Sequence, residues 1–128
     1  MIEVKWFPKK GRGVVAKKLL PKGTFIESAP VGSFSSEQWT LIKKTDIFKY
    51  CFVIPSEYSD KQHVNGHIVF GLSSLCNHSE TPNAYVKWIK DEIGLWAYLI
   101  ALTDIQSGEE VSVRYTNIDE YFLATEFI

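Results

Sequence analysis

Hydrophobic positions along this chain fall in short alternating runs, with little of the three-to-four spacing of amphipathic helices. Over 84–89, Tyr85, Lys87 and Ile89 share one face and Ala84, Val86 and Trp88 the other, the period-two pattern of a strand. Residues 110–115 alternate in the same way, and 95–102 is an almost unbroken apolar run, as in a strand buried on both faces. Further strands are expected over 2–6, 14–18, 24–27, 50–54 and 67–72. Turn formers punctuate them: Pro8-Lys9-Lys10-Gly11, Pro21-Lys22-Gly23 and Gln106-Ser107-Gly108. One helix is expected from Ser35 or Ser36, with Glu37 and Gln38 in its first turn and Trp39, Ile42 and Asp46 or Ile47 at helical spacing. The pattern predicts a mostly β domain of short strands with one or two short helices.

Length and composition narrow this picture. A chain of 128 residues with 45% hydrophobic and 23% charged residues is expected to form one domain, 1–128, with a core that needs no metal or disulfide. The 14 basic and 15 acidic side chains leave a net charge of −1, so no direct nucleic-acid binding is expected, a local patch aside. The N-terminal MIEVKWFPKKGRG lacks the apolar centre of a signal peptide, and no apolar run reaches the ~20 residues of a membrane span. Cys51 and Cys76 lie in or beside apolar segments, as buried free thiols do in a reducing compartment, so an intracellular protein, cytoplasmic or chromatin-associated, is expected. Asn77-His78-Ser79 formally fits a glycosylation sequon, which has no use without secretion.

One stretch fits none of these patterns. CNHSETPN, residues 76–83, is a polar, irregular knot set directly after the apolar run IVFGLSSL and before another strand. It does not stand alone. Gly11-Arg12-Gly13-Val14 and Leu20-Pro21-Lys22-Gly23-Thr24-Phe25-Ile26 precede it, and Ile105-Gln106-Ser107-Gly108-Glu109-Glu110-Val111, ending at Tyr115, follows it. In this order and spacing the four stretches resemble the SET-domain protein lysine methyltransferases: a GxG motif, its following hairpin, an NHSxxPN signature, and GEE with a closing tyrosine. Tyr50-x-Phe52 is similar to the aromatic motif of the substrate channel. The resemblance spans nearly the whole chain and is most like the minimal viral and bacterial members. It departs at Glu80, where the family often has Cys, and at Arg114, where Asp is frequent.

The resemblance implies the knotted SET (β-clip) fold, with the Asn-His-Ser stretch threaded beneath the C-terminal segment in a pseudoknot. It also implies S-adenosylmethionine as cofactor and a protein substrate with an exposed lysine, a histone among the options. By the same analogy the backbone of Gly11, Arg12 and Gly13 approaches the cofactor, Asn77 hydrogen-bonds it, and the His78 backbone reads the adenine edge. Tyr115 is the expected catalytic residue, orienting the methyl group or the amine without acting as a base. Tyr50 and Phe52 are expected in the substrate channel. Tyr121 and Phe122, in a short lid segment near 116–128, are expected over the channel and the adenine. The minimal viral relatives are dimeric, so a homodimer is a hypothesis here.

Other readings stay open at this point. Gly11-Arg12-Gly13 also suits a plain hairpin turn, and the four aromatic residues at 50, 52, 121 and 122 suit core packing equally well. A zinc site would draw on His63, His67, His78, Cys51 and Cys76, but Asn65-Gly66 reads as a turn between the first two, and no Cys-x-x-Cys pair is present. No metal is expected. Ser73, Ser74 and Ser79 lie near His78 in sequence, without a nucleophile-elbow pattern. The alternative of a different class is a non-catalytic SET-like module that binds a protein or peptide. It has no physical need for Asn77, His78 and Tyr115 together.

Overall fold

The computed structural model describes residues 1–58 and 64–121. Strands β1 (Ile2–Phe7) and β2 (Gly11–Ala16) form an antiparallel hairpin, with Trp6 opposite Arg12 and Ile2 opposite Ala16. The larger sheet has five strands in the order β4-β5-β3-β8-β7: β3 (Phe25–Phe34), β4 (Cys51–Phe52), β5 (Gly66–Val69), β7 (Ala84–Asp91) and β8 (Gly94–Ala101). Two very short strands, β6 (Asn77–His78) and β9 (Ser112–Val113), pair in parallel. Helix α1 (Ser36–Ile42) opens on a complete capping box between Ser35 and Gln38. A four-residue α2 (Pro55–Tyr58) and 3₁₀ turns at Asp46–Tyr50, Leu72–Leu75 and Ile118–Tyr121 complete the described elements.

Several elements differ from the sequence expectation, β2 and β5 only in their bounds. Strand β3 runs ten residues rather than ending at Glu27. It passes through Pro30 because it changes partner there: Phe25–Pro30 pair with β8 and Val31–Phe34 with β5. The helix ends at Ile42, and the Thr45 side chain accepts from the Ile47 N–H to start a separate 3₁₀ turn, which also takes Tyr50 out of the expected strand. The expected 110–115 strand keeps only Ser112 and Val113 in a ladder.

The main core gathers Val14, Leu20, Leu99, Ile105, Val111 and Val113, all at or near zero exposure. A second cluster packs Trp39 against Cys51, Val53 and Val64. Gly66 makes this possible, since a Cβ there would lie 2.1 Å from the Trp39 ring. The knot is drawn by the C-terminal stretch. Its residues 105–111 exchange backbone hydrogen bonds with Leu20, Ala16 and Val14, and 112–113 pair with Asn77 and His78. The Asn83 amide locks the crossing: Nδ2 donates to the Glu110 carbonyl at 2.8 Å and Oδ1 accepts from the Ser112 N–H at 2.9 Å.

Candidate active site

The knot determines which side chains meet. Gly11 turns the chain at φ +82° to begin β2. Two residues on, a Cβ at Gly13 would lie 2.7 Å from Asn77 Nδ2 and 2.8 Å from the Phe7 ring, so only glycine lets β2 approach β6 this closely. Asn77, 8% exposed, donates from Nδ2 to Glu110 Oε2 at 2.7 Å, and Glu110 Oε1 in turn accepts from Lys10 Nζ at 3.2 Å.

Tyr115 is held at both ends. Its hydroxyl donates to the Cys76 carbonyl at 2.7 Å, and its backbone N–H donates to His78 Nδ1 at 2.9 Å. That second bond requires an unprotonated Nδ1, which places the proton of the neutral ring on Nε2. Among the described residues Nε2 is buried without a hydrogen-bond partner, and the Glu80 carboxylate stands 3.5 Å away. The imidazole also packs on the Tyr115 ring, with centroids 5.2 Å apart. His78 thus braces Tyr115 through its side chain, while the residue itself lines a neighbouring hollow with Ser79, Asn83 and Glu110.

One cavity of about 520 Å³ brings together Gly11, Arg12, Tyr50, Asn77 and Tyr115. Trp6, Ser74 and Leu75 complete its apolar and neutral wall, while Lys9, Lys10 and Lys49 join Arg12 as cationic lining. Arg12 reaches the Tyr50 hydroxyl at 3.4 Å. Gly13 does not line the cavity and packs against Asn77 and the Phe7 ring. Phe52 lies elsewhere. It stacks edge-on against Trp88 at 5.6 Å and lines a separate apolar groove of about 370 Å³ with Tyr85, Val113, Arg114 and Thr116. The cavity and the groove share the 113–116 segment, with Tyr115 facing the first and its neighbours the second. Of the expected lid, the backbone of Tyr121 closes the last 3₁₀ turn, and Phe122 is outside the described residues.

Residues nearby have other partners. Burial, with the Glu27 and Glu110 carboxylates close by, pushes the Cys76 thiol far above the ordinary cysteine range, and burial alone pushes Cys51 up to about 11. Both remain neutral thiols at physiological pH. His67 has both ring nitrogens engaged, Nδ1 with Ser33 Oγ and Nε2 with Glu57 Oε1, each at 2.8 Å. His63 lies outside the described residues. The serines near His78 bond elsewhere: Ser73 to Glu27, Ser74 to the Val69 carbonyl, and Ser79 to the Thr81 N–H. The sequence reading gave no role to Lys10, Lys49 or Glu110. The GEE motif was the one available signal, and it does not say which glutamate turns inward.

Most of the chain is similar to known proteins. The SET domain family model matches residues 11–116. Over 114 residues the chain is 32% identical to a Schizosaccharomyces pombe histone-lysine N-methyltransferase specific for H3 lysine-37, covering 89% of this chain and 72% of that protein. An Aspergillus oryzae histone-lysine N-methyltransferase specific for H3 lysine-36 is 47% identical over 51 residues, which are 39% of this chain and 5% of that much longer protein. Among solved structures, the Neurospora SET-domain histone lysine methyltransferase DIM-5 superposes with a TM-score of 0.67 at 19% identity, over 89% of this chain and 51% of that one. At that identity the likeness is one of fold.

Proposed function

This chain belongs to the SET-domain family of protein-lysine methyltransferases, and on that premise we propose that S-adenosylmethionine binds in the Trp6–Tyr115 cavity and that Tyr115 is the catalytic residue. The observation carrying the proposal is the Tyr115 hydroxyl, fixed on a backbone carbonyl at the wall of a cavity that also holds Gly11, Arg12, Tyr50 and Asn77. The residues present fit the cofactor. Gly13 leaves no side chain between β2 and Asn77, Asn77 supplies a polar group at the wall, and the cationic rim suits a carboxylate.

When bound, S-adenosylmethionine supplies an electrophilic methyl carbon on a sulfonium, for direct displacement by an amine. The protein's part is alignment. Because the Tyr115 proton is committed to the Cys76 carbonyl, its oxygen presents lone pairs that can accept an N–H of the incoming amine. The amine must arrive neutral, and a free lysine, near pKa 10.4, is mostly charged at neutral pH. Arg12, Lys10 and Lys49 around the cavity, together with desolvation, disfavour the ammonium form, so the proton is left in solvent and no general base is required.

The apolar groove of Phe52, Tyr85 and Trp88 suits the aliphatic stem of a lysine and its flanking residues, and we place the protein substrate there. Histone H3 is the first substrate to try, since the fission yeast relative is named for it, and a chromatin setting would follow. Homodimerisation is also proposed, and sedimentation at micromolar concentration showing only monomer would remove it. Calorimetric titration with S-adenosylmethionine tests the cofactor site. One-to-one saturable binding is expected, and it should be lost in Asn77→Ala. Absence of binding at near-millimolar cofactor would refute the proposal. Tyr115→Phe should abolish turnover while leaving peptide binding intact, whereas unchanged turnover would take Tyr115 out of the reaction.

A further inference from the structure

Glu27 directly follows the Leu20–Ile26 stretch and belongs to none of the motifs above, yet its side chain ends one bond network away from Tyr115. It sits at an irregularity in β3. Phe25 pairs with Ile100 and Glu27 with Leu99, so Ile26 has no opposite residue and the strand bulges. Bulges redirect side chains. Here Ile26 enters the core while Glu27 turns toward the Leu72–Leu75 3₁₀ turn. Its carboxylate accepts three hydrogen bonds there: Oε2 from the Leu72 N–H at 2.9 Å, and Oε1 from the Ser73 N–H at 3.0 Å and the Ser73 hydroxyl at 2.6 Å. Gly71 leaves room for it, since a Cβ at that position would lie 2.6 Å from Oε1.

The far end of this turn holds the Tyr115 hydroxyl. The Cys76 N–H donates back to the Ser73 carbonyl at 3.2 Å, and the Cys76 carbonyl accepts from Tyr115 at 2.7 Å. Ser74 and Leu75, between the two ends, form part of the cavity wall. From this path we infer that Glu27 is a positioning residue for methyl transfer: its carboxylate fixes the 72–76 backbone, and thereby the carbonyl that aims the Tyr115 hydroxyl. The inference rests on the proposed role of Tyr115. Glu27 touches neither cofactor nor substrate in this scheme. A carboxylate is needed because both oxygens face donors, and a glutamine amide would turn a donor N–H₂ on one of them.

The test is Glu27→Gln, assayed with radiolabelled S-adenosylmethionine and a core-histone mixture, beside calorimetric cofactor affinity and Tm. Small misplacements of reacting groups cost up to about a hundredfold in rate. The expected result is a fall in kcat of about tenfold to a hundredfold with cofactor Kd and histone KM unchanged. Ser73→Ala, which removes one of the three bonds, should show the same split in milder form, and it carries the test if Glu27→Gln does not fold. Unchanged kcat with only a lowered Tm would overturn the inference, leaving Glu27 a structural cap. Loss of cofactor affinity in parallel with kcat would overturn it as well, by pointing to collapse of the cavity wall. If the wild-type protein binds cofactor but methylates no histone, the assigned role of Tyr115 fails on this substrate and the inference falls with it. If the wild type turns over and Glu27→Gln matches it, the inference alone is wrong.

Discussion

Gly13 shows how little tolerance the site has at the level of single atoms. Adding one methyl group there would press on both Asn77 Nδ2 and the Phe7 ring, so β2 must separate from β6 or the asparagine must swing away. Overpacking of this kind costs about 1–3 kcal/mol. Gly13→Ala is therefore expected to lower Tm and to weaken cofactor binding together, measurable by thermal melts and calorimetry on one sample. His78 makes the opposite point. Replacing it with alanine leaves the Tyr115 N–H without its acceptor, and an orphaned, partly buried donor costs about 1–3 kcal/mol. A His78→Asn variant, which keeps an acceptor on a shorter side chain, should recover part of the lost stability in urea unfolding. Equal loss in both variants would assign the effect to packing.

At the scale of elements, β6 and β9 contribute only two residues each, so the Asn83 amide and the backbone bonds of 105–111 share in holding the crossing. Asn83→Ala removes both amide bonds to 110–112 and is expected to destabilise by about 2–4 kcal/mol, with earlier loss of the C-terminal stretch in hydrogen exchange. Alternation was enough to locate β7, an unbroken apolar run to locate β8, and turn residues to locate the first hairpin, because burial and chain reversal both leave local marks in sequence. They were not enough for β3, which was expected to end at Glu27 and instead runs on through Pro30, where one partner strand replaces another. Tyr50 and Phe52 illustrate the same limit at the site. Two residues apart they would share a face of a strand, but Tyr50 closes a 3₁₀ turn and only Phe52 is in β4, so the two rings serve different hollows. Gly11, Asn77 and Tyr115 were legible because their motifs keep fixed spacing. Glu27 was not, because its bonds span 45 residues or more and depend on a bulge that no local pattern announces.

For the whole molecule, the two buried thiols bias stability against alkali. A thiol raised in the folded state stays protonated there while the unfolded chain, near its ordinary pKa of 9.0, ionises. The unfolded form then binds fewer protons, so the contribution is fully present below pH 9 and is lost for Cys51 as pH rises through about 11, with Cys76 extending the loss higher. Denaturant unfolding between pH 8 and 10.5 should show this slope, and Cys51→Ala should flatten part of it.

The crossing of 105–115 over β2 and β6 also sets an order of events. Tyr115 cannot be aimed until a carbonyl 39 residues earlier is in place, and that carbonyl lies in a slot that the same late stretch closes. Contacts so distant in sequence form slowly, because loop-closure entropy is lost before any bond is gained. During synthesis the chain up to residue 104 can fold its hairpin and much of its sheet, but it has no hydroxyl at the cavity and no strand to seat Asn77. With Tyr115 in its proposed role, it is expected to stay chemically silent until the last crossing is threaded. A nascent or prematurely terminated copy thus has no half-built site with which to methylate its neighbours.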